Sequence, residues 1–408
     1  MLTIDEALKQ VLDHARPLPP RRRPLGEAIG CFLAEDVTAD RDLPPFDKAL
    51  VDGYAVRAAD LANGAPRSLR IGEEIMAGQT PTRPLAPGEA ALIMTGAPLP
   101  SGADAVVMLE HTGRPEPDIV VLNDEPVSVG KNRLPRGREM RAGDLLLRQG
   151  DLLSPVRLGL LASIGRTEVQ VVPCPNVAVL PTGDELVEPD LVPGPGQIRN
   201  SNATLLRSMA QACGVRAEAL PIARDELEHL RAALERGLKA DVLLVAGGVS
   251  AGQRDLVPAT LEALGVTAVF HKVRLKPGKP LWFGIGPARG DCPGSLVFGL
   301  PGNPVSGVVG FLLFVRPALE ILWGKDATPV VNRRARLASP FVHRGDRSTY
   351  HPSRWIEGKT GSEPLIEPLD WAGSADLRAV AQADGFAVFP AGDHHYSAGD
   401  TIEFLDLL

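Results

Sequence analysis

From about Val171 the chain alternates short, wholly apolar runs with helix-length amphipathic segments, a pattern buried by a sheet with helices packed across it. Val177-Ala178-Val179-Leu180 reads as a strand ending at Thr182-Gly183-Asp184-Glu185. Residues 203–212 read as a helix closed by Gly214, residues 215–222 as a strand, and residues 225–238 as a helix with Leu227, Leu230, Leu234 and Leu238 on one face. A buried strand at 241–246 ends in Gly247-Gly248, a helix at 255–264 is closed by Gly265, and a strand at 296–299 precedes an apolar helix opened by Pro304. This order predicts multidomain α/β architecture with a central doubly wound, mostly parallel sheet and helices on both faces. Ligands of such sheets sit beyond the carboxyl ends of the strands.

The flanking regions differ. At 408 residues the chain exceeds what one hydrophobic core usually supports, so further domains are expected. Residues 44–147 carry turn signals at Gly53, Gly78, Pro87-Gly88, Pro98 and Gly102, with strand-like runs such as Ala90-Ala91-Leu92-Ile93-Met94 between them. They lack helix-length periodicity and read as a β-rich insertion. Short β-like runs return after about residue 329, predicting a small, separate C-terminal β-barrel or sandwich. At the N-terminus, Thr3 and Glu6 make a capping box ahead of Ala7, Leu8, Val11 and Leu12, which predicts a helix over about residues 1–16 and argues against a signal peptide.

Composition removes several functions. A net charge of −7 argues against a general nucleic-acid binder. Cys31, Cys174, Cys213 and Cys292 form no CxxC pair, which suits a reducing compartment and suggests neither a zinc site nor a disulfide framework. The longest apolar run, residues 305–315, stops at Arg316 and is too short to span a bilayer. The expectation is a cytoplasmic protein with no membrane partner.

Two loops point to an anion. Lys276-Pro277-Gly278-Lys279-Pro280 presents two ammonium groups on a stiff backbone. Gly299-Leu300-Pro301-Gly302-Asn303-Pro304-Val305-Ser306 sets two glycines beside prolines and opens a helix, whose first N–H groups suit an oxyanion. Either loop alone is an ordinary Pro/Gly turn; together, after the Gly247-Gly248 loop, they read as a binding site. Asp184-Glu185, Asp225 and Asp255 sit at the same sheet edge. Asp225 with Glu228 also makes a complete capping box, and Asp255 can equally be an N-cap. Carboxylates beside lysines in a phosphate crevice suit Mg²⁺. No Walker A loop, GxSxG elbow or HExxH helix occurs, and His394-His395 reads as a loop pair rather than a metal site.

These residues resemble a known family. Pro44-Pro45-Phe46-Asp47, Val51-Asp52-Gly53-Tyr54-Ala55-Val56, Met94-Thr95-Gly96-Ala97-Pro98, Pro181-Thr182-Gly183-Asp184-Glu185 and Ala246-Gly247-Gly248-Val249-Ser250 occur in order, followed by the two loops above. The set, spanning essentially the whole chain, is similar to the molybdopterin molybdenumtransferases (MoeA, and the E domain of gephyrin). The resemblance implies Mg²⁺-dependent insertion of molybdate into adenylylated molybdopterin with release of AMP. It implies an elongated homodimer of four domains, with the active site shared between subunits. The corresponding boundaries here are 1–43 with about 148–170, 44–147, 171–328 and 329–408.

Carried over by motif, Asp52 and Thr95 come from the β-rich domain, and Glu185, Asp225 and Asp255 serve Mg²⁺ and the adenylate phosphate. Lys272, Lys276 and Lys279 bind molybdate and phosphate. Gly247, Gly248, Ser250, Pro301, Gly302, Asn303, Pro304, Ser306 and Ser374 line the substrate pocket. Implied partners are the molybdopterin adenylyltransferase upstream and cofactor-maturation proteins downstream. The chain departs from the family where Lys48-Ala49-Leu50-Val51 replaces Asn-Ser-Ala-Met, where Glu139 replaces Asp, and where Arg378 and Asp384 replace Ser and Asn. Two other readings are the neighbouring adenylyltransferase, whose fold the central region resembles, and a non-catalytic dimeric scaffold.

Overall fold

The computed structural model describes the whole chain except residues 63–66, 124–126, 250–255, 291, 326–332, 357–363 and 408. Two compact units emerge, one of residues 1–34, 152–154 and 168–408, the other of residues 35–151 and 155–167.

The larger unit is organised around a six-stranded sheet in the order Arg216–Ala219, Asn176–Pro181, Val242–Ala246, Leu296–Leu300, Trp282–Ile285, Thr267–His271. The first three pairings are parallel and the last two antiparallel. The sequence pattern did not announce the last two strands. Thr267–His271 is an edge strand with only Phe270 fully inward, so it lacks the apolar run that marks a central strand. Phe283 joins the two edge strands to the core, with its ring 5.5 Å from Phe270 and 4.9 Å from Phe298.

The helix expected at 225–238 begins later, at Leu227. Glu226 occupies its N-cap position without a side-chain bond, so the Asp225–Glu228 capping box does not form. The reason is local competition: the Asp225 amide donates to Asp184 Oδ1 at 3.1 Å, and the Arg224 amide to His229 Nδ1. Leu227 is consequently exposed, while Leu230 and Leu234 are fully buried. The Thr3–Glu6 capping box is present, on helix Ile4–His14.

The apolar helix opened by Pro304 does not end at Arg316; it continues to Leu322, 19 residues in all. Pro317 has no N–H to give and its ring crowds the preceding turn, and a π-helical stretch at Phe311–Val315 absorbs the mismatch. Most of its apolar window, 83%, is buried inside the protein, so this helix is packed core.

The C-terminal strands Arg333–Leu337, Ser348–Ile356, Leu365–Pro368, Gly385–Phe389 and Thr401–Asp406 close into a barrel, because Ser348–Ile356 pairs with both of its neighbours. Leu337, Ile366, Phe389 and Phe404 fill it. Leu275–Lys276 adds to Ser348–Thr349 in parallel, so the lysine loop is tied to the barrel as well as to the central sheet.

The smaller unit holds a six-stranded sheet in the order Ala105–Met108, Gly53–Val56, Glu89–Ile93, Arg67–Ile75, Ile119–Leu122, Thr112–Glu116. Lys48–Ala49 pairs with Arg133–Leu134, and Lys48 Nζ reaches Glu139 Oε1 at 3.0 Å. Two of the departures from the family pattern thus meet in one ion pair.

Candidate active site

Three strands of the central sheet end in residues that must pass one another closely. Gly247 and Gly248 have φ of 104° and 62°, and a Cβ on Gly248 would come within 2.7 Å of Val257 Cγ2 and 2.9 Å of Thr182 Oγ1. Only glycine fits there. The Thr182 amide donates to Ala246 O and the Gly247 amide to Leu300 O, stitching the three strand ends together.

Beyond them lies a cleft of about 530 Å³. Glu185, Gly248, Asn202 and residues 301–304 line it. The Glu185 carboxylate folds over Gly183, where any Cβ would collide with it. Asn202, near the start of helix Ser201–Ala212, donates through Nδ2 to Gly302 O at 2.7 Å and so holds the 301–304 loop. Thr182 Oγ1 and Asn202 Oδ1 are buried and find no hydrogen-bond partner among the described residues.

A second pocket, of about 450 Å³, adjoins the first through Pro280, Pro301 and Asn303. It contains Lys276, Lys279, Ser306, Arg347 and Ser374, and no carboxylate is among its lining residues. Ser374 accepts from Asn303 Nδ2 at 2.7 Å, and its carbonyl accepts from the Val305 amide. Arg347 is anchored by a bond from Nη1 to Leu275 O at 3.1 Å. Lys276 also faces His343 and His351, whose imidazoles lie below the usual range, first through burial and then through the Lys276 charge.

The other expected residues lie elsewhere. Gly247 and Asp225 are not among the lining residues of either pocket, and a Cβ on Gly247 would meet Thr182 O at 2.7 Å. Lys272 lines neither pocket and adopts a left-handed φ of 75°, a conformation that costs a non-glycine residue about 1–2 kcal/mol. Ser250 and Asp255 lie outside the described residues. Among the described residues no three His, Cys, Asp or Glu side chains gather into a metal cluster. In the smaller unit, Asp52 Oδ1 accepts from both the amide and the hydroxyl of Thr95 at 2.7 Å. These two bonds, the amide's first, hold the Asp52 carboxyl below its usual range. Arg347 and Asn202 were missed from sequence. Their signals were faint: a basic residue just before a strand, and an amide one residue after a helix start.

Comparison with known proteins follows this geometry. Residues 2–165 match the MoeA N-terminal region (domains I and II), residues 178–321 a probable molybdopterin binding domain, and residues 334–407 the MoeA C-terminal region (domain IV). The chain is 34% identical to the molybdopterin molybdenumtransferase of Bacillus subtilis, over 99% of this chain and 94% of that one. It is 31% identical to the enzyme of the same name from Staphylococcus aureus, over 99% and 95%. Among solved structures, a molybdopterin biosynthesis MoeA protein from Pyrococcus horikoshii superposes with a TM-score of 0.82 at 31% identity, covering 100% of this chain and 99% of that chain.

Proposed function

The chain belongs to the molybdopterin molybdenumtransferase (MoeA) family, and from that premise we propose that it inserts molybdate into adenylylated molybdopterin, releasing AMP. It is a transferase of molybdenum cofactor biosynthesis. One observation carries the finer reading: Lys276, Lys279 and Arg347 line a pocket without a carboxylate, directly beside the larger cleft. Molybdate is a dianion that must approach a substrate already bearing phosphates, so fixed cations are needed to offset the repulsion. The cleft would take the adenylylated pterin and the lysine pocket the oxyanion. Ser306 and Ser374 would contribute hydroxyls, and Pro301, Gly302, Asn303 and Pro304 would shape the passage between them.

Mg²⁺ fits the donor chemistry. The Glu185 carboxylate lines the cleft with no hydrogen bond or ion pair among the described residues, and a hard cation prefers such an oxygen. Glu185 would hold the ion from the cleft, Asp225 and Asp255 being carried over as further ligands by the family motif alone, and the ion when bound would supply polarisation of the phosphate link. The protein's own groups orient the substrate, neutralise charge and restrict water. Roles for Asp52, Thr95, Lys272, Gly247, Gly248 and Ser250 belong to the same reading, as do a homodimer, a cytoplasmic location and exchange with the adenylyltransferase and maturation proteins. Agreement with named transferases over 99% of the chain disfavours the adenylyltransferase reading, which required only the central sheet.

The test is a single turnover of adenylylated molybdopterin with Mg²⁺, with and without molybdate. AMP release that depends on molybdate is expected; adenylate held without release in its presence points to the scaffold instead.

A further inference from the structure

We propose that Arg199, which belongs to none of the motifs above, binds a phosphate of the nucleotide-bearing substrate in the central cleft. The proposal rests on the reading of that cleft as the adenylate site. Arg199 lines the cleft from strand Ile198–Arg199, which pairs in parallel with Leu186–Val187. The Ile198 amide donates to Glu185 O at 2.8 Å, so Arg199 follows directly on the residue bonded to Glu185. Arg199 is exposed, and its guanidinium is oriented by a bond from Nε to Leu191 O at 3.0 Å. No carboxylate pairs with its guanidinium among the described residues, where most of the ion pairs involve arginine. A planar fork held at its base and free at its tip matches two oxygens of one phosphate.

The surroundings agree with an anion. Helix Ser201–Ala212 begins at the cleft with Ser201 and Asn202, and the 19-residue helix Pro304–Leu322 begins there with Pro304. Two positive helix ends therefore meet in the cavity that Arg199 lines. Thr182, 3% exposed, brings to the same cavity a hydroxyl with no partner among the described residues. Glu185 is the one acid and Arg199 the one cation among the lining residues, so the two helix ends tip the balance toward an anion.

Arg199 also ties down its own loop, together with mutual bonds between Gly194 and Gln197. A purely structural arginine would therefore change binding of any ligand in the cleft. The experiment separates these roles by titrating the intact protein with AMP and with adenosine, for the wild type, Arg199→Ala and Arg199→Lys. The wild type should prefer AMP. Arg199→Ala should weaken AMP by about 10- to 100-fold and leave adenosine unchanged, the loss expected for one charge-assisted contact. Arg199→Lys should fall between them, and the AMP preference should shrink with added salt.

The assignment is overturned if Arg199→Ala binds AMP like the wild type, if AMP and adenosine weaken together, or if the wild type does not distinguish them. Molybdate-dependent AMP release by the wild type is scored separately. Its absence would sink the transferase mechanism while the AMP preference still reports on Arg199; its presence with an unchanged Arg199→Ala titration would sink only the arginine.

Discussion

The Asp52 loop of the smaller unit and the paired pockets of the larger unit use the same kinds of residue to opposite ends. Around Asp52 the polar groups are matched locally: Asp52 is held by Thr95, and Lys48 by Glu139. In the larger unit Lys276 and Lys279 line a pocket without a carboxylate, beside an Arg347 that is itself paired with Asp346, and the Glu185 carboxylate and Arg199 guanidinium engage no opposite charge among the described residues. Matched groups define a conformation. Charges left open on a rigid frame define a place for a ligand, because fixed groups aimed at a ligand's charge do not have to reorganise when it arrives.

If that contrast is right, Lys276→Ala should lower molybdate-dependent turnover by about 10²–10³-fold, the loss typical of one preorganised electrostatic group. Its thermal unfolding should stay close to wild type, since Lys276 makes no ion pair among the described residues. A large drop in melting temperature would place Lys276 with the structural charges instead.

The frame itself can be broken at Gly248. Gly248→Ala forces a Cβ against Val257 and Thr182 at a left-handed φ, and should destabilise by about 1–3 kcal/mol while impairing the cleft. Denaturant titration of the larger unit checks this, and wild-type stability would mean the strand ends are looser than described.

The histidines beside Lys276 sharpen the comparison by pH. Buried and held below the usual value of about 6.5, His343 and His351 are bound to protons less readily folded than unfolded. Their stabilising contribution is complete above that unfolded value. It declines as pH falls from there through the depressed folded values. Melting temperature should therefore drop on mild acidification, and His343→Gln should blunt the drop; identical pH profiles for both proteins would refute the assignment.

The smallest effect concerns the smaller unit. A double-mutant cycle on Lys48 and Glu139, whose side chains are 29% and 48% exposed, should give a coupling of at most about 1 kcal/mol that fades with salt. A larger value would mean this pair anchors the Asp52 loop.

What could be read from sequence follows the range of the interactions. Strands ending in Gly247-Gly248 and in Gly302, the Lys276–Lys279 spacing and the Pro304 helix start are local signals, and all were legible. Lys48 and Glu139 are 91 residues apart in sequence, and their pairing depends on Leu134 registering against Lys48 across two short strands. Arg347 reaches its pocket only because Ser348–Thr349 pairs with Leu275–Lys276, a contact between separate sequence regions. Asp225 misled for the opposite reason: a sound local capping pattern lost to a bond from its amide to Asp184, 41 residues away. Barrel closure likewise needed the second partner of Ser348–Ile356, which alternation along one strand does not encode.

The most direct test of the contrast is equilibrium binding of molybdate to the wild type, Lys279→Ala and Lys48→Ala proteins under one ionic strength. The account predicts that Lys279→Ala weakens molybdate at least about tenfold, the scale of one lost charge-assisted contact, while Lys48→Ala binds as the wild type does. Equal weakening in both, or undiminished binding by Lys279→Ala, would contradict it.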